Sequence, residues 1–218
     1  MSLLLQTIPA ALLAALSPVS AVVLLFVILP TYLLKDTFAG QPVNFLEMAT
    51  VMVALGLAIR FAWLPEFRAQ VIERLRWLRQ QKGIVMAVLV FLLAAIVAVI
   101  FSADLYRSLG VLKGWYILPM LGGLMAYLVF RKPWDVYNAI TGLSVAAGLV
   151  SWYGLIDYFR IHDPWKYVGM RLDSFYTSPN YLALYTGPII VLTLNLLLFV
   201  PAIRKHRITL WLLSGSLV

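Results

Sequence analysis

An arginine, a set of hydroxyl and amide side chains and a helix-start signal stand together in RLDSFYTSPNYLALYTGP, Arg171 to Pro188. Ser178 is a good N-cap, and Pro179 suits the first helical position, where its missing N–H would be unpaired anyway. A helix opening there points its free N–H groups and positive dipole end at an anion that Arg171 can also reach. The ligand this suits is a phosphate, since the rigid fork of a guanidinium pairs two phosphate oxygens at once. The alternative reading is an interfacial anchor, with Arg171 on lipid headgroups and Tyr176, Tyr181 and Tyr185 in an aromatic belt.

Asn180, in the first turn of the same expected helix, is a supporting contact. Arg107, Lys113, Arg160 and Lys166 are further candidates for the same anion. Against them stands the plainer expectation that Arg107 pairs with Asp104 and Arg160 with Asp157, one helical turn away in each case. His162-Asp163-Pro164 offers part of an acid–base set, but Asp-Pro is also a turn starter. His206 belongs to a basic cluster. Glu47 stands three residues after Asn44, the spacing of a capping box, with a catalytic role as the alternative. No cysteine and two histidines leave no disulfide framework, no thiolate chemistry and no metal site, and no cofactor is expected.

These residues are carried by a chain that must be an integral membrane protein. Of its 218 residues 63% are hydrophobic, and the mean hydropathy is +0.93. The basic excess, seventeen against nine acidic residues, lies in short clusters between apolar runs. It therefore reads as topology and contact with membrane lipids, and leaves no solvated basic face for nucleic acid. The fold expected is all-α: six full transmembrane helices, a partial seventh and one amphipathic interfacial helix, in a single domain over 1–218.

The first apolar run, Leu3 to Leu34, is interrupted by Pro9 and Ser17-Pro18. It is read as one span, Val19 to Leu34, with a separate shallow helix at Leu3 to Leu16 as the alternative. A polar link, Lys35 to Gln41, leads to further spans near Phe45–Leu64, Ile84–Phe101, Val111–Phe130, Val136–Tyr158 and Pro179–Val200, the last with a kink expected at Pro188. Gly142, Gly148 and Gly154 suit close helix packing in the fifth. Between the second and third spans, Pro65 to Gly83 sets Phe67, Val71, Leu75 and Leu78 at helical spacing among charged residues, an interfacial helix with its basic residues toward anionic lipid. Ile208 to Val218 reaches only about half of a ~30 Å hydrocarbon layer, so the chain is expected to continue in a longer protein.

Arg60, Arg68, Arg74, Arg76, Arg79, Lys82, Arg131, Lys132, Arg204, Lys205 and Arg207 fall in the links after the second, fourth and sixth spans. The other links carry only Lys35, Arg107, Lys113, Arg160, Lys166 and Arg171. The positive-inside rule then places the N-terminus in the cytoplasm and the Arg171 link outside. If the first run holds two spans, only the N-terminus changes side.

RLDSFYTSPNYLALYTGP resembles the motif of the O-antigen ligase and polymerase superfamily, with Arg171, Phe175, Pro179-Asn180, Leu182-Ala183 and Pro188 in matching places. Leu29 to Met48 and Phe101 to Leu121 resemble the same family at the first and second outward links. Asp173-Ser174 stands where the family commonly has glycine, and Ser178 replaces its first asparagine. The family's large outward loop with a histidine and further arginines has no counterpart, so the chain resembles the N-terminal portion of a longer family domain.

The resemblance implies a glycosyltransferase of a bacterial inner membrane, with the Arg171 link periplasmic. It would pass glycan from an undecaprenyl-pyrophosphate carrier to a hydroxyl of lipid A core, a polysaccharide or a protein. Arg171 would be the catalytic pyrophosphate contact, with Asn180, Arg107, Lys113 and Arg160 binding substrate. The alternatives are a transporter or flippase-like protein and a non-catalytic assembly subunit.

Overall fold

A computed structural model describes residues 3–38, 41–161, 174, 179–201 and 203. It is all-α apart from one short hairpin, and the chain divides into two compact units, Met1–Leu25 with Thr31–Arg131, and Phe26–Pro30 with Lys132–Val218.

The initial apolar run is two helices, α1 (Leu3–Leu16) and α2 (Pro18–Val27), followed by a 3-10 turn at Leu29–Leu33. Pro18 has no N–H for a carbonyl one turn back, and the chain breaks there. At 1.5 Å per residue α1 is about 21 Å long and α2 about 15 Å, both short of a ~30 Å hydrocarbon layer. This corrects the single-span reading of Val19–Leu34.

The partner of α1 is α3 (Phe45–Trp63). Thr7, Ala10 and Ala14 are buried on α1, and Met48, Ala49, Val53 and Gly56 on α3. Small side chains at helical spacing let the two backbones approach closely, as membrane helices without a hydrophobic driving force require. Gly56 lies against the Ala11 carbonyl and the Ala14 methyl, while Arg60, one turn on, reaches Ala15 and Leu16. The two helices therefore run in the same direction, and Leu3 lies toward the Asn44 end of α3. The chain regains that end at Leu34, whose carbonyl accepts the Phe45 N–H at 3.0 Å.

The polar link is an antiparallel hairpin, β1 (Lys35–Phe38) with β2 (Gln41–Asn44), Lys35 opposite Asn44 and Phe38 opposite Gln41. The expected capping box is formed: Asn44 Oδ1 accepts the Glu47 N–H at 2.8 Å, and Glu47 Oε2 accepts the Asn44 N–H at 3.4 Å.

Pro65 ends α3 and opens α4 (Pro65–Gln80), the expected amphipathic helix, which buries Phe67 and Val71. α5 (Lys82–Ile100) buries only Ala95 and Val99, as suits a helix apolar all round in lipid. α6 (Leu105–Val111), a π-helical segment (Leu112–Ile117) and α7 (Leu118–Val129) form one continuous apolar run.

Three arginines at the α4 end of the first unit cap helix C-termini. Arg60 donates to the Ala15 and Leu16 carbonyls of α1, Arg68 to the Phe61 and Ala62 carbonyls of α3, and Arg74 to the Tyr127 carbonyl of α7 at 2.7 Å. The last carbonyls of a helix have no intrahelical partner, and the negative dipole end favours a cation there. Arg68 and Arg74 thus serve the protein itself, whereas Arg76, Arg79 and Lys82 are exposed.

In the second unit, α8 (Pro133–Ile161) packs antiparallel to α9 (Pro179–Phe199). At one end Trp134, Tyr137 and Ile140 of α8 surround Leu196 and Ile203. Further along, Ser144 and Thr193 share a buried hydroxyl hydrogen bond of 2.6 Å; one of the two donates across it, and the other accepts there and donates to the carbonyl one turn back on its own helix. Gly142, Gly148 and Gly154 are buried in α8, as expected of close-packing positions.

Five helices among the described residues are long and apolar enough to cross a membrane: α3, α5, the α6–α7 run, α8 and α9. The chain is accordingly a polytopic all-α membrane protein. The partial seventh span lies outside the described residues.

Candidate functional site

Arg171, the centre of the phosphate reading, lies outside the described residues, as do His162, Lys166, Ser178 and His206. The described candidates fall into one pair in each unit.

In the first unit, Asp104 caps α6 by accepting the Arg107 backbone N–H at 3.0 Å. The expected Arg107–Asp104 ion pair is not formed, and the Arg107 side chain is exposed. Lys113 differs. Its Nζ lies 3.0 Å from Glu47 Oε2 and donates to the Pro42 carbonyl at 3.3 Å. Glu47 thus closes the α3 cap with one hand and neutralises Lys113 with the other. The pair ties the hairpin and the start of α3 to the π-helical segment, at the opposite end of the unit from α4.

The Glu47 side chain is 13% exposed and that of Lys113 is 44%. A phosphate binding at Lys113 would compete with a carboxylate already in place, which makes Lys113 a weaker anion ligand than Arg107. The sequence offered no sign of this pairing. The two residues belong to different helices, and neither periodicity nor motif connects them.

In the second unit, the antiparallel packing brings the last turn of α8 and the first turn of α9 to the same end, and with them Arg160 and Asn180. α9 begins at Pro179, where the helix-start signal placed it. Both side chains are exposed, and no ion pair joins Arg160 to Asp157.

Ser174, inside the Arg171 stretch, is held on α8, its Oγ donating to the Val150 carbonyl at 2.9 Å. Its φ of 56° lies in the left-handed region that favours glycine. Two opposed terms therefore meet at one residue, a hydrogen bond worth about 1 kcal/mol and backbone strain of similar size. Ser174→Ala, which keeps the strain and loses the bond, should lower stability by about 1 kcal/mol. Ser174→Gly, which loses both, should stay within about 0.5 kcal/mol of wild type. Thermal unfolding in detergent checks this, and equal losses for the two variants would dismiss the strain.

Among the described residues no group of histidine, cysteine, aspartate or glutamate side chains could hold a metal ion. Compared with family models, with curated proteins and with solved structures, the chain matches none.

Proposed function

We propose that this protein is a membrane glycosyltransferase of the O-antigen ligase or polymerase type. It would act on an undecaprenyl-pyrophosphate-linked glycan at the outer face of a bacterial inner membrane. The observation that carries the reading is the Arg171–Pro188 stretch, with an arginine and small polar residues leading into a helix N-terminus. The start of α9 at Pro179 and the gathering of Arg160 and Asn180 at that end support it.

By the basic bias of its links, the α4 side is cytoplasmic and the Arg171 link periplasmic.

The chemistry follows from the leaving group. As the sugar–phosphate bond breaks, negative charge grows on the lipid pyrophosphate, and fixed cations and helix N–H groups stabilise it electrostatically. Arg171 is the principal contact, with the α9 N-terminus and Asn180 beside it. Arg160, at the same end of the second unit, is a secondary contact. The acceptor is a hydroxyl of lipid A core, a polysaccharide or a protein. A transporter gains less support, because the charged side chains of the described spans sit toward helix ends and the deepest, Lys113, is paired with Glu47.

The test is binding of undecaprenyl pyrophosphate, with undecaprenol as control, to the full chain in lipid nanodiscs. Arg171→Lys should weaken binding about tenfold, since a point charge cannot replace a bidentate fork, and should abolish glycan transfer. Equal binding of the two lipids by the wild type, or unchanged binding by Arg171→Lys, would end the proposal.

A further inference from the structure

The exposed basic residues of α4 adjoin a groove on the first unit. One stripe of α4, Gln70, Glu73, Arg74 and Trp77, faces Tyr127 and Arg131 at the C-terminal end of α7, enclosing about 500 Å³. These α4 positions follow the three- and four-residue spacing of a single helical face.

The floor of the groove is fixed. Arg74 donates to the Tyr127 carbonyl, the Tyr127 hydroxyl donates back to the Arg74 carbonyl at 3.1 Å, and the Arg74 guanidinium lies 5.4 Å from the Tyr127 ring centroid. Trp77 stacks on the same ring at 6.0 Å and remains 50% exposed. Only one of the N–H groups of Arg74 is spent on Tyr127, so the guanidinium keeps donors for a ligand.

α3 arrives at this face and α5 leaves it, so the groove lies at the level of the headgroups. α4 also carries the exposed Arg76 and Arg79, with Lys82 just beyond it, against Glu66 and Glu73. A half-exposed tryptophan beside arginines is the composition that interfacial sites use, with the ring at the acyl boundary and the cations on phosphate.

We infer that this groove binds the headgroup of an anionic phospholipid, the phosphodiester on Arg74 and Arg131 and the first acyl carbons on Trp77. The site is independent of the glycan-transfer reading and rests only on the membrane-spanning fold. Its ligand is lipid rather than soluble phosphate, because the aromatic wall offers a free anion nothing. Glu73 opposes the ligand and limits its affinity.

The test is native mass spectrometry of the full chain from a non-ionic detergent, titrated with dioleoylphosphatidylglycerol or dioleoylphosphatidylcholine. The anionic lipid should bind about fivefold or more tightly than the zwitterionic one. Arg131→Gln should weaken it about fivefold, and Arg76→Gln, outside the groove but with the same charge change, less than about twofold. Glu73→Gln should tighten binding about two- to fivefold, a gain that misfolding cannot produce. Equal affinity for the two lipids, or equal losses in Arg131→Gln and Arg76→Gln, would overturn the site. So would no gain in Glu73→Gln, or full displacement of the lipid by millimolar inorganic phosphate.

Discussion

Gly56→Ala should cost the protein about 3 kcal/mol and loosen α1 from α3. The added Cβ would stand 2.2 Å from the Ala11 carbonyl oxygen and 2.7 Å from the Ala14 Cβ. The first neighbour is backbone and cannot rotate away, so relief requires the helices to separate. Separation surrenders contacts along the whole small-residue seam of Thr7, Ala10 and Ala14. Overpacking of a tight core commonly costs about 1–3 kcal/mol, and a backbone neighbour puts this site at the upper end.

The chain has no cysteine, so a single Thr7→Cys reports on the seam directly, Thr7 being 1% exposed. Maleimide should label that thiol slowly in the parent and at least about tenfold faster with Gly56→Ala, the ratio expected when some 1.4 kcal/mol or more of protection is lost. Gly122→Ala is the control, with nothing within 4 Å of its missing Cβ. Equal labelling in the two glycine variants would show that the α1–α3 seam is not as close as described.

Arg60→Met should have the second largest effect, a loss of about 2–3 kcal/mol. Arg60 Nη1 donates to Ala15 and to Leu16, the latter at 3.1 Å, and its guanidinium lies 5.5 Å from the Phe67 ring centroid. One side chain on α3 therefore closes the end of α1 and engages α4. Hydrogen bonds to a charged donor contribute about 1.5–3 kcal/mol each, and two carbonyls at a proline break in an apolar run have few other donors. The net is smaller than the sum because Arg60 Nε is buried with no hydrogen-bond partner. Methionine keeps the length and apolar stem while removing charge and donors, so packing is largely preserved. Arg60→Lys should recover about half, as its ammonium must serve with a shorter reach. Equilibrium unfolding in mixed micelles measures all three. Arg60→Met within about 0.5 kcal/mol of wild type would mean that water or lipid satisfies these carbonyls equally well.

The capping box at Asn44–Glu47, the opening of α4 at Pro65 and the opening of α9 at Pro179 were legible because each is a local signal. Each is complete within about one helical turn, so residue types and spacing suffice. The first apolar run was less legible. Pro18 marked the break, but whether the chain continued across the bilayer or turned back depended on a partner elsewhere. Gly56, 45 residues beyond the Ala11 it packs against, supplied it.

The sequence by itself determined the class of the protein. Apolar runs long enough to cross a membrane must become helices there, since no water can satisfy an open backbone. It also marked α4 as interfacial and Arg171–Pro188 as the stretch most suited to a phosphate. Tertiary structure alone decided what the basic residues are for. Arg60 and Arg74 serve carbonyls 45 and 53 residues away, and Lys113 meets a carboxylate that also caps α3. An arginine bound to a helix end and one facing a lipid phosphate look alike in a sequence. They differ only in which acceptor the fold brings within about 3 Å, the distance over which a hydrogen bond is made.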